Sequence, residues 1–202
     1  MITVVGIGPG GTTDFLFGQA LDSIEAASVI IGSERQLELV PEHKQMVCHR
    51  LPRKLTELED YLYDHSTDMI VVLASGDPLT YGIGNWLMNR FSGDQLTILP
   101  GISSVHYFFN RLRIPMEDCY ITSSHGRTPD YELLFQMSKV GMVTDQQIGP
   151  YQLAQEAIKR GMNTTFYIGE QLSYPDEQIR CFTSNEVPDE EYAMNVVVMI
   201  NE

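Results

Sequence analysis

Long apolar runs are missing from this chain of 202 residues. Nothing approaches the roughly 18 successive apolar residues of a membrane-spanning helix, so no contact with a membrane is expected. The basic start and apolar stretch of a secretory signal are also missing, because Met1-Ile2-Thr3-Val4-Val5 runs directly into a strand-like segment. Cytoplasmic residence is therefore expected. Cysteine is scarce. Cys48, Cys119 and Cys181 are odd in number, far apart and without zinc-ligand spacing, which predicts reduced, structural thiols. The five histidines form no His-Glu-x-x-His or comparable pair, so no metal site is expected. Positive charge is scarcer still: 13 Lys and Arg stand against 27 Asp and Glu, for a formal net charge of −14. That excludes general nucleic-acid binding, which needs a basic face. It leaves room for an anionic small molecule, since a few local arginines can hold carboxylates inside a negative overall field. Arg50, Arg53, Lys54, Arg111, Arg113 and Arg127 are the candidates, with solvated surface charge as the other reading of each.

What is there is an ordinary globular composition, 43% hydrophobic and 20% charged, without internal repeats or low-complexity tracts. Runs of β-branched and aliphatic residues over 2–7, 28–32, 45–49, 69–75 and 95–99 read as strands. Helical patterns fall between them. Over 14–27 the spacing places Phe17, Leu21 and Ile24 on one face, and over 54–65 it places Leu55, Leu58 and Leu62 there. Helices are also predicted over 80–91 and 102–112. Such alternation implies a mainly parallel sheet covered on both faces. After Arg113-Ile114-Pro115 the pattern changes. Strands are predicted over 120–124, 140–144, 164–169, 178–182 and 195–200, with helices over 130–138 and 150–160, the second ended by Gly161. Tyr174-Pro175-Asp176-Glu177 reads as a turn between two strands. The expectation is an α/β protein of two domains, 1–113 and 114–202.

Three glycine-containing turns each follow a strand end. Val4-Val5-Gly6-Ile7-Gly8-Pro9-Gly10 closes the first strand. Ala74-Ser75-Gly76-Asp77-Pro78-Leu79-Thr80-Tyr81-Gly82-Ile83-Gly84 closes the fourth, and Leu99-Pro100-Gly101-Ile102-Ser103-Ser104 the fifth. Ligands of α/β sheets bind in the crevice beyond the carboxyl ends of the strands, so the turns are expected to converge on one small molecule. Glycine lets backbone approach a ligand, and proline stiffens the turn. Each turn also has a plainer reading. Asp77, kept out of helix by Pro78, either caps the helix that follows or contacts a nucleoside-like ligand. Gly82 and Gly84 cost about 1 kcal/mol each early in a helix, so a packed element or a ligand approaches them. Ser103 serves as an N-cap, or it and Ser104 hydrogen-bond a polar ligand.

Gly6-Ile7-Gly8-Pro9-Gly10-Gly11 also fits the dinucleotide pattern G-x-G-x-x-G, and Glu34 supplies a carboxylate about 20 residues on. A nicotinamide-dependent oxidoreductase with a dinucleotide-binding N-terminal domain is therefore the alternative. Against it, Pro9 removes a donor that a pyrophosphate would use, and a helix cap at Thr13 or Asp14 sets an acidic group near the phosphate. That reading also leaves the second and third turns without a purpose.

In this order and at these spacings, VVGIGPG, ASGDPLTYGIG and LPGISS resemble the tetrapyrrole (corrin/porphyrin) methylase family. Ser124-His125-Gly126-Arg127, Val143-Thr144-Asp145 and Gly169-Glu170-Gln171-Leu172-Ser173-Tyr174-Pro175-Asp176-Glu177 narrow the resemblance to a branch that methylates C-5 of a cobalt-precorrin (cobalt-precorrin-7) in anaerobic cobalamin biosynthesis. The resemblance covers essentially the whole chain. It implies two α/β domains with a ligand cleft between them, S-adenosyl-L-methionine as methyl donor, a tetrapyrrole substrate and a homodimer. Carried onto this sequence, it implies that Pro9, Gly76, Asp77, Ile83, Ser103, Ser104 and Thr144 bind the cofactor, Thr144 at the adenine. It also implies that His125, Gly126 and Arg127 face the tetrapyrrole.

The resemblance assigns no catalytic base. His125 is a candidate for removing the C-5 proton after transfer, because imidazole titrates near neutral pH; a loop histidine satisfied by backbone groups is the other reading. The planar fork of Arg127 suits a peripheral acetate or propionate, and Glu170 is expected to order a loop through a backbone amide. There are departures. The family often carries Asp-Pro-Glu where this chain has Gly11-Thr12-Thr13, and the branch commonly has Leu at Ser124 and Gly at Ser173. The aerobic counterpart is often fused to a second methyltransferase that decarboxylates the substrate and methylates C-15. With this chain closing at Glu202, that activity is expected from a separate partner protein.

Overall fold

Alternate residues of a strand point to opposite faces, and in the first half of this chain both faces meet helices. The computed structural model describes residues 1–202. In it β1 (Ile2–Gly6), β2 (Val29–Gly32), β3 (Cys48–Arg50), β4 (Ile70–Ala74) and β5 (Leu96–Leu99) form one sheet in the order β3-β2-β4-β1-β5. Every pairing is parallel, with Ile2 opposite Ile70 of β4 and Leu96 of β5. Val71 and Leu73, with Val5 and Ile30, pack on α1 (Gly18–Ala26) and α2 (Glu34–Leu37) through Ala20, Ile24 and Leu37. Ile70, Val72 and Ala74 pack on α3 (Leu55–Asp64) and α4 (Ile83–Met88) through Leu58, Leu62 and Leu87. Full burial of one such side chain contributes about 1.5–3 kcal/mol, and burial on both faces explains why these strands are nearly continuous aliphatic runs.

The second half opens with α5 (Ser104–Leu112) and builds a mixed sheet. β6 (Tyr120–Ser123), β7 (Lys139–Val143), β8 (Thr164–Glu170), β9 (Gln178–Thr183) and β10 (Asn195–Asn201) lie in the order β6-β7-β10-β8-β9. Only β6 and β7 pair in parallel; β10 is antiparallel to both β7 and β8, and β9 to β8. One face receives α6 (Tyr131–Gln136) and α7 (Pro150–Lys159), whose Leu134, Leu153 and Ala157 share a core with Met142, Phe166 and Val197. α5 covers Val196 and Val198 on the other face with Val105, Phe108 and Phe109. It lies close because the sheet offers it glycine. A Cβ on Gly141 would stand 2.7 Å from Val105 Cγ1, and one on Gly169 2.7 Å from Phe108 Cε2.

Several expectations change. The compact units are Met1–Ser103 and Ser104–Glu202, so the division falls before α5 and not after residue 113. The apolar face of α5 belongs to the second core, and the helix goes with it. The strand expected over 45–49 is largely a 3-10 helix, Glu42–Val47. Gln45 Nε2 donates to the carbonyls of Leu37 and Val40 at 2.9 and 2.8 Å, and only Cys48–Arg50 pairs with β2. Phe17 and Leu21, expected inside, are exposed. The chain first makes a 3-10 turn at Thr13–Phe15 and starts α1 only at Gly18, which shifts the buried face to Ala20 and Ile24. Leu55 is exposed at the open end of its stripe while Leu58 and Leu62 are buried. The short helix α2 is an addition to the expected elements. Ser33-Glu34-Arg35-Gln36 carries capping-box spacing, and Gln36 Oε1 accepts the Ser33 N–H at 2.7 Å. No helix is long and apolar enough to cross a membrane.

Candidate functional site

In the first unit the three strand-end turns meet, at the carboxyl ends of the adjacent strands β4, β1 and β5. Gly8 and Gly76 exchange backbone hydrogen bonds, Gly76 N–H to Gly8 O at 2.6 Å and the reverse at 3.2 Å. Gly101 lies against Gly76 and Gly6. A Cβ on it would fall 2.2 Å from the Gly76 carbonyl oxygen, and one on Gly6 would fall 2.5 Å from Gly101 N. Gly6 and Gly101 therefore make room for each other, and Gly101 for Gly76. At Gly6 and Gly101 it is neighbouring backbone that comes close.

Asp77 is the clasp of this junction. Its Oδ1 accepts from Leu79 N–H at 2.9 Å and from the Thr80 hydroxyl at 3.1 Å, and its Oδ2 accepts a long bond of 3.4 Å from Gly101 N–H. It does not cap the next helix, which begins at Ile83 after Gly82. The close approach expected at Gly82 and Gly84 is made by the turn itself: a Cβ on either would stand 2.6 Å from the Pro78 carbonyl oxygen. Pro9 is buried between Gly8 and Gly10, whose φ angles of 75° and 104° only glycine adopts freely. Gly76 and Ser103 are buried at the same junction, and Ile83 is half-buried against the core beneath α4.

The first turn leads to Thr12, whose hydroxyl accepts from Asp14 N–H at 3.2 Å, and then to the Thr13–Phe15 turn. A pyrophosphate needs a helix N-terminus directly behind the glycines. Here α1 starts at Gly18, so the dinucleotide alternative loses its donors. Glu34, its supposed ribose ligand, is paired with Arg50 on the surface.

The second unit holds the remaining residues. Ser104 is the first residue of α5. Thr144 follows β7, is buried, and donates its hydroxyl to Asn195 Oδ1 at 2.6 Å, while Asn195 Nδ2 donates to the Ala193 carbonyl at 2.8 Å. Thr144, Asp145, Tyr192, Ala193, Met194 and Asn195 line a cleft of ≈ 490 Å³, a size typical of small-molecule sites. His125, Gly126 and Arg127 form an exposed loop after β6. His125 N–H donates to Ser123 Oγ at 3.1 Å, Arg127 N–H to the Ser124 carbonyl at 3.0 Å, and Arg127 Nη2 to Thr122 Oγ1 at 3.4 Å.

Asp145 joins this loop to the cleft, and it was not among the expected site residues. Its Oδ2 accepts Gly126 N–H at 3.0 Å, and its Oδ1 accepts the amides of Gln147 and Ile148 at 2.9 Å each. The Ile148 and Gly126 amides hold its carboxyl below the ordinary aspartate range. An aspartate ahead of Gly149-Pro150 is a sequence signal for such a turn. Ser124, where the branch commonly has Leu, is buried and donates to the Ile148 carbonyl at 2.8 Å, fastening the same turn.

Glu170 orders a loop as expected: Oε1 accepts Ala193 N–H at 2.9 Å and Oε2 pairs with Arg180 at 2.7 Å. Of the candidate cations, Arg50 pairs with Glu34, Lys54 with Glu57 and Arg111 with Glu177.

A model of the family described as Tetrapyrrole (Corrin/Porphyrin) Methylases matches residues 1–188. The chain is 38% identical over 203 residues to the cobalt-precorrin-7 C(5)-methyltransferase of Salmonella typhimurium, covering 100% of both. Its fold is similar to that of a cobalamin biosynthesis precorrin-6Y methylase from Archaeoglobus fulgidus, with a TM-score of 0.80, 24% identity, and coverage of 100% of this chain and 98% of that one. It is also similar to that of a uroporphyrin-III C-methyl transferase from Thermus thermophilus crystallised with S-adenosyl homocysteine, with a TM-score of 0.77, 19% identity, and coverage of 98% and 96%.

Proposed function

Because this chain belongs to the tetrapyrrole (corrin/porphyrin) methylase family, we propose that it transfers a methyl group from S-adenosyl-L-methionine to C-5 of cobalt-precorrin-7 in the anaerobic route to cobalamin. The meeting of the three strand-end turns, each bearing family motif residues, is the observation that carries the chemistry. The identity of 38% over the full length carries the choice of substrate.

The residues present fit the donor. Tyr192, Ala193 and Met194 offer apolar surface beside the hydrogen-bonded Thr144–Asn195 pair, an arrangement suited to a flat heterocycle with one polar edge. When bound, S-adenosyl-L-methionine supplies an electrophilic methyl group on a sulfonium. Pro9, Gly76, Asp77, Ile83, Ser103 and Ser104 are proposed to bind its remaining parts, and Thr144 its adenine.

C-5 of a reduced tetrapyrrole is conjugated with ring nitrogens, as in an enamine, so it attacks without a strong protein base. The chain's contribution is then positioning and exclusion of water, which is worth several kcal/mol in a displacement of this kind. Arg127 pairs with a peripheral carboxylate of the macrocycle through its planar fork. The imidazole of His125 takes the C-5 proton after transfer, on a loop whose Gly126 amide is fixed by Asp145. We also propose a homodimer in the cytoplasm, with decarboxylation and C-15 methylation left to a separate protein.

The test is incubation of the protein with methyl-labelled S-adenosyl-L-methionine and cobalt-precorrin-7. The product should be one methylene heavier, with the label at C-5 by NMR. Label at another carbon, or no transfer, overturns the proposal.

A further inference from the structure

Glu177 has no functional assignment above, yet its carboxylate accepts three hydrogen bonds, as many as that of Asp145. Its Oε2 accepts the Tyr107 hydroxyl and the Ser173 N–H, each at 2.8 Å, and its Oε1 accepts Arg111 Nε at 2.7 Å. Burial alone would push this carboxyl up; the Ser173 amide, the Tyr107 hydroxyl and the Arg111 guanidinium outweigh it and hold the group below the ordinary glutamate range. Tyr107 and Arg111 belong to α5 and Ser173 to the 171–177 loop, so a single side chain sets the spacing of two elements.

Both elements lead toward the residues assigned to the methyl donor. α5 begins at Ser104, one helical turn before Tyr107. The loop begins at Gln171, whose N–H donates to the Met194 carbonyl at 2.9 Å, and Met194 and Asn195 line the cleft beside Thr144. Between these points the loop is tightly wound, with φ of 47° at Gln171 and 71° at Ser173. Non-glycine residues keep such angles only where the surroundings impose them. Leu172, buried in the core cluster of Phe108, fastens the loop between its two polar ends.

We infer that Glu177 is a positioning residue for the methyl-donor site, tying the start of α5, with Ser104, to the Met194–Asn195 rim of the cleft that Thr144 lines. The inference rests on the function proposed above. Glu177 acts through Tyr107 on one side and through Ser173 and Gln171 on the other.

Calorimetric titration of the full chain with S-adenosyl-L-homocysteine, paired with thermal melts, tests it. Glu177→Ala should weaken binding about tenfold or more in folded protein, the scale expected when a supporting contact lets a site drift. Glu177→Gln, which keeps an acceptor for Tyr107 or Ser173, should recover most of the affinity. Tyr107→Phe should weaken binding by about two- to threefold, and that effect should disappear in the Glu177→Ala background. Arg160→Ala, which breaks the Glu132 and Glu156 pairs elsewhere in the unit, should lower the melting temperature without touching affinity. Should Glu177→Ala fail to fold, Tyr107→Phe decides, and unchanged affinity in that variant overturns the inference. Glu177→Ala or Tyr107→Phe protein that melts lower yet binds as the parent does overturns the inference alone. A folded parent protein that does not bind the ligand overturns the proposed function and the inference with it.

Discussion

Replacing Gly101 with alanine tests the packing on which the first half of the site depends. The new Cβ would stand 2.2 Å from the Gly76 carbonyl oxygen and 2.8 Å from the Gly6 carbonyl carbon. Carbon and oxygen normally stay about 3.3 Å apart or more, so roughly 1 Å of movement is forced on the junction. Neither neighbour yields readily. Both are backbone, and both sit where β1 and β4 leave their parallel ladder. Overpacking costs about 1–3 kcal/mol, and rigid neighbours put this site at the upper end, or about 6–12 °C of melting temperature for a chain of this size. Differential scanning calorimetry measures it, with Gly93→Ala as the comparison. A Cβ on Gly93 meets nothing within 4 Å, and alanine there should be neutral or raise stability by about 0.5 kcal/mol through the unfolded chain. Binding of S-adenosyl-L-homocysteine should weaken in Gly101→Ala and not in Gly93→Ala. Identical melting of the two variants would refute the steric argument and with it the close junction of the three turns.

Asp77→Ala removes the acceptor of two short bonds and one long one; it should cost about 1–2 kcal/mol in melts and weaken cofactor binding, whereas unchanged affinity by calorimetry would leave Asp77 as a turn residue only. Ser173 sits at φ 71°, where a β-branched side chain is strained. The unfolding free energy from urea titration should therefore fall by more than about 1 kcal/mol for Ser173→Val and hold or rise for Ser173→Gly, the residue the branch commonly carries there. Arg127→Ala should raise the Michaelis constant for the tetrapyrrole and spare cofactor affinity, and equal loss of both in steady-state kinetics would contradict its assignment. Glu177 and Asp145 titrate below their ordinary values in the folded chain. Their stabilisation is complete above the usual carboxylate range and is lost as acid brings the pH through their folded values. Melting temperature should thus fall below about pH 4, and less steeply in Glu177→Gln than in the parent.

The parallel half was legible because strands buried on both faces announce themselves, Ile70–Ala74 being apolar without interruption. Local pattern failed where a distant contact decided. Whether residues 45–47 joined the sheet depended on Gln45 reaching the carbonyls of Leu37 and Val40. Which sheet α5 would join depended on Gly141 and Gly169, far along the chain. The glycines of the three turns could be picked out, but a glycine in a sequence does not say whether a ligand or another backbone comes close. Asp145 carried a local turn signal. Asn195 carried none, and Glu177 only its place at the end of the Gly169–Glu177 segment, since their partners Thr144, Tyr107 and Arg111 lie many residues away.

The second sheet has its latest strand in its middle. β10 is hydrogen-bonded along both edges, to β7 and to β8. During synthesis the parallel sheet of the first unit can close as soon as β5 and its neighbours have emerged, because domains fold as units from the N-terminus. Its successor must wait for Asn195–Asn201 to leave the ribosome, and until then β7 and β8 present bare edges of the kind that recruit foreign strands. A premature stop ahead of Asn195 would therefore leave a nascent chain with two adhesive flanks in place of a closed sheet, and such a product should be found with chaperones or in aggregates.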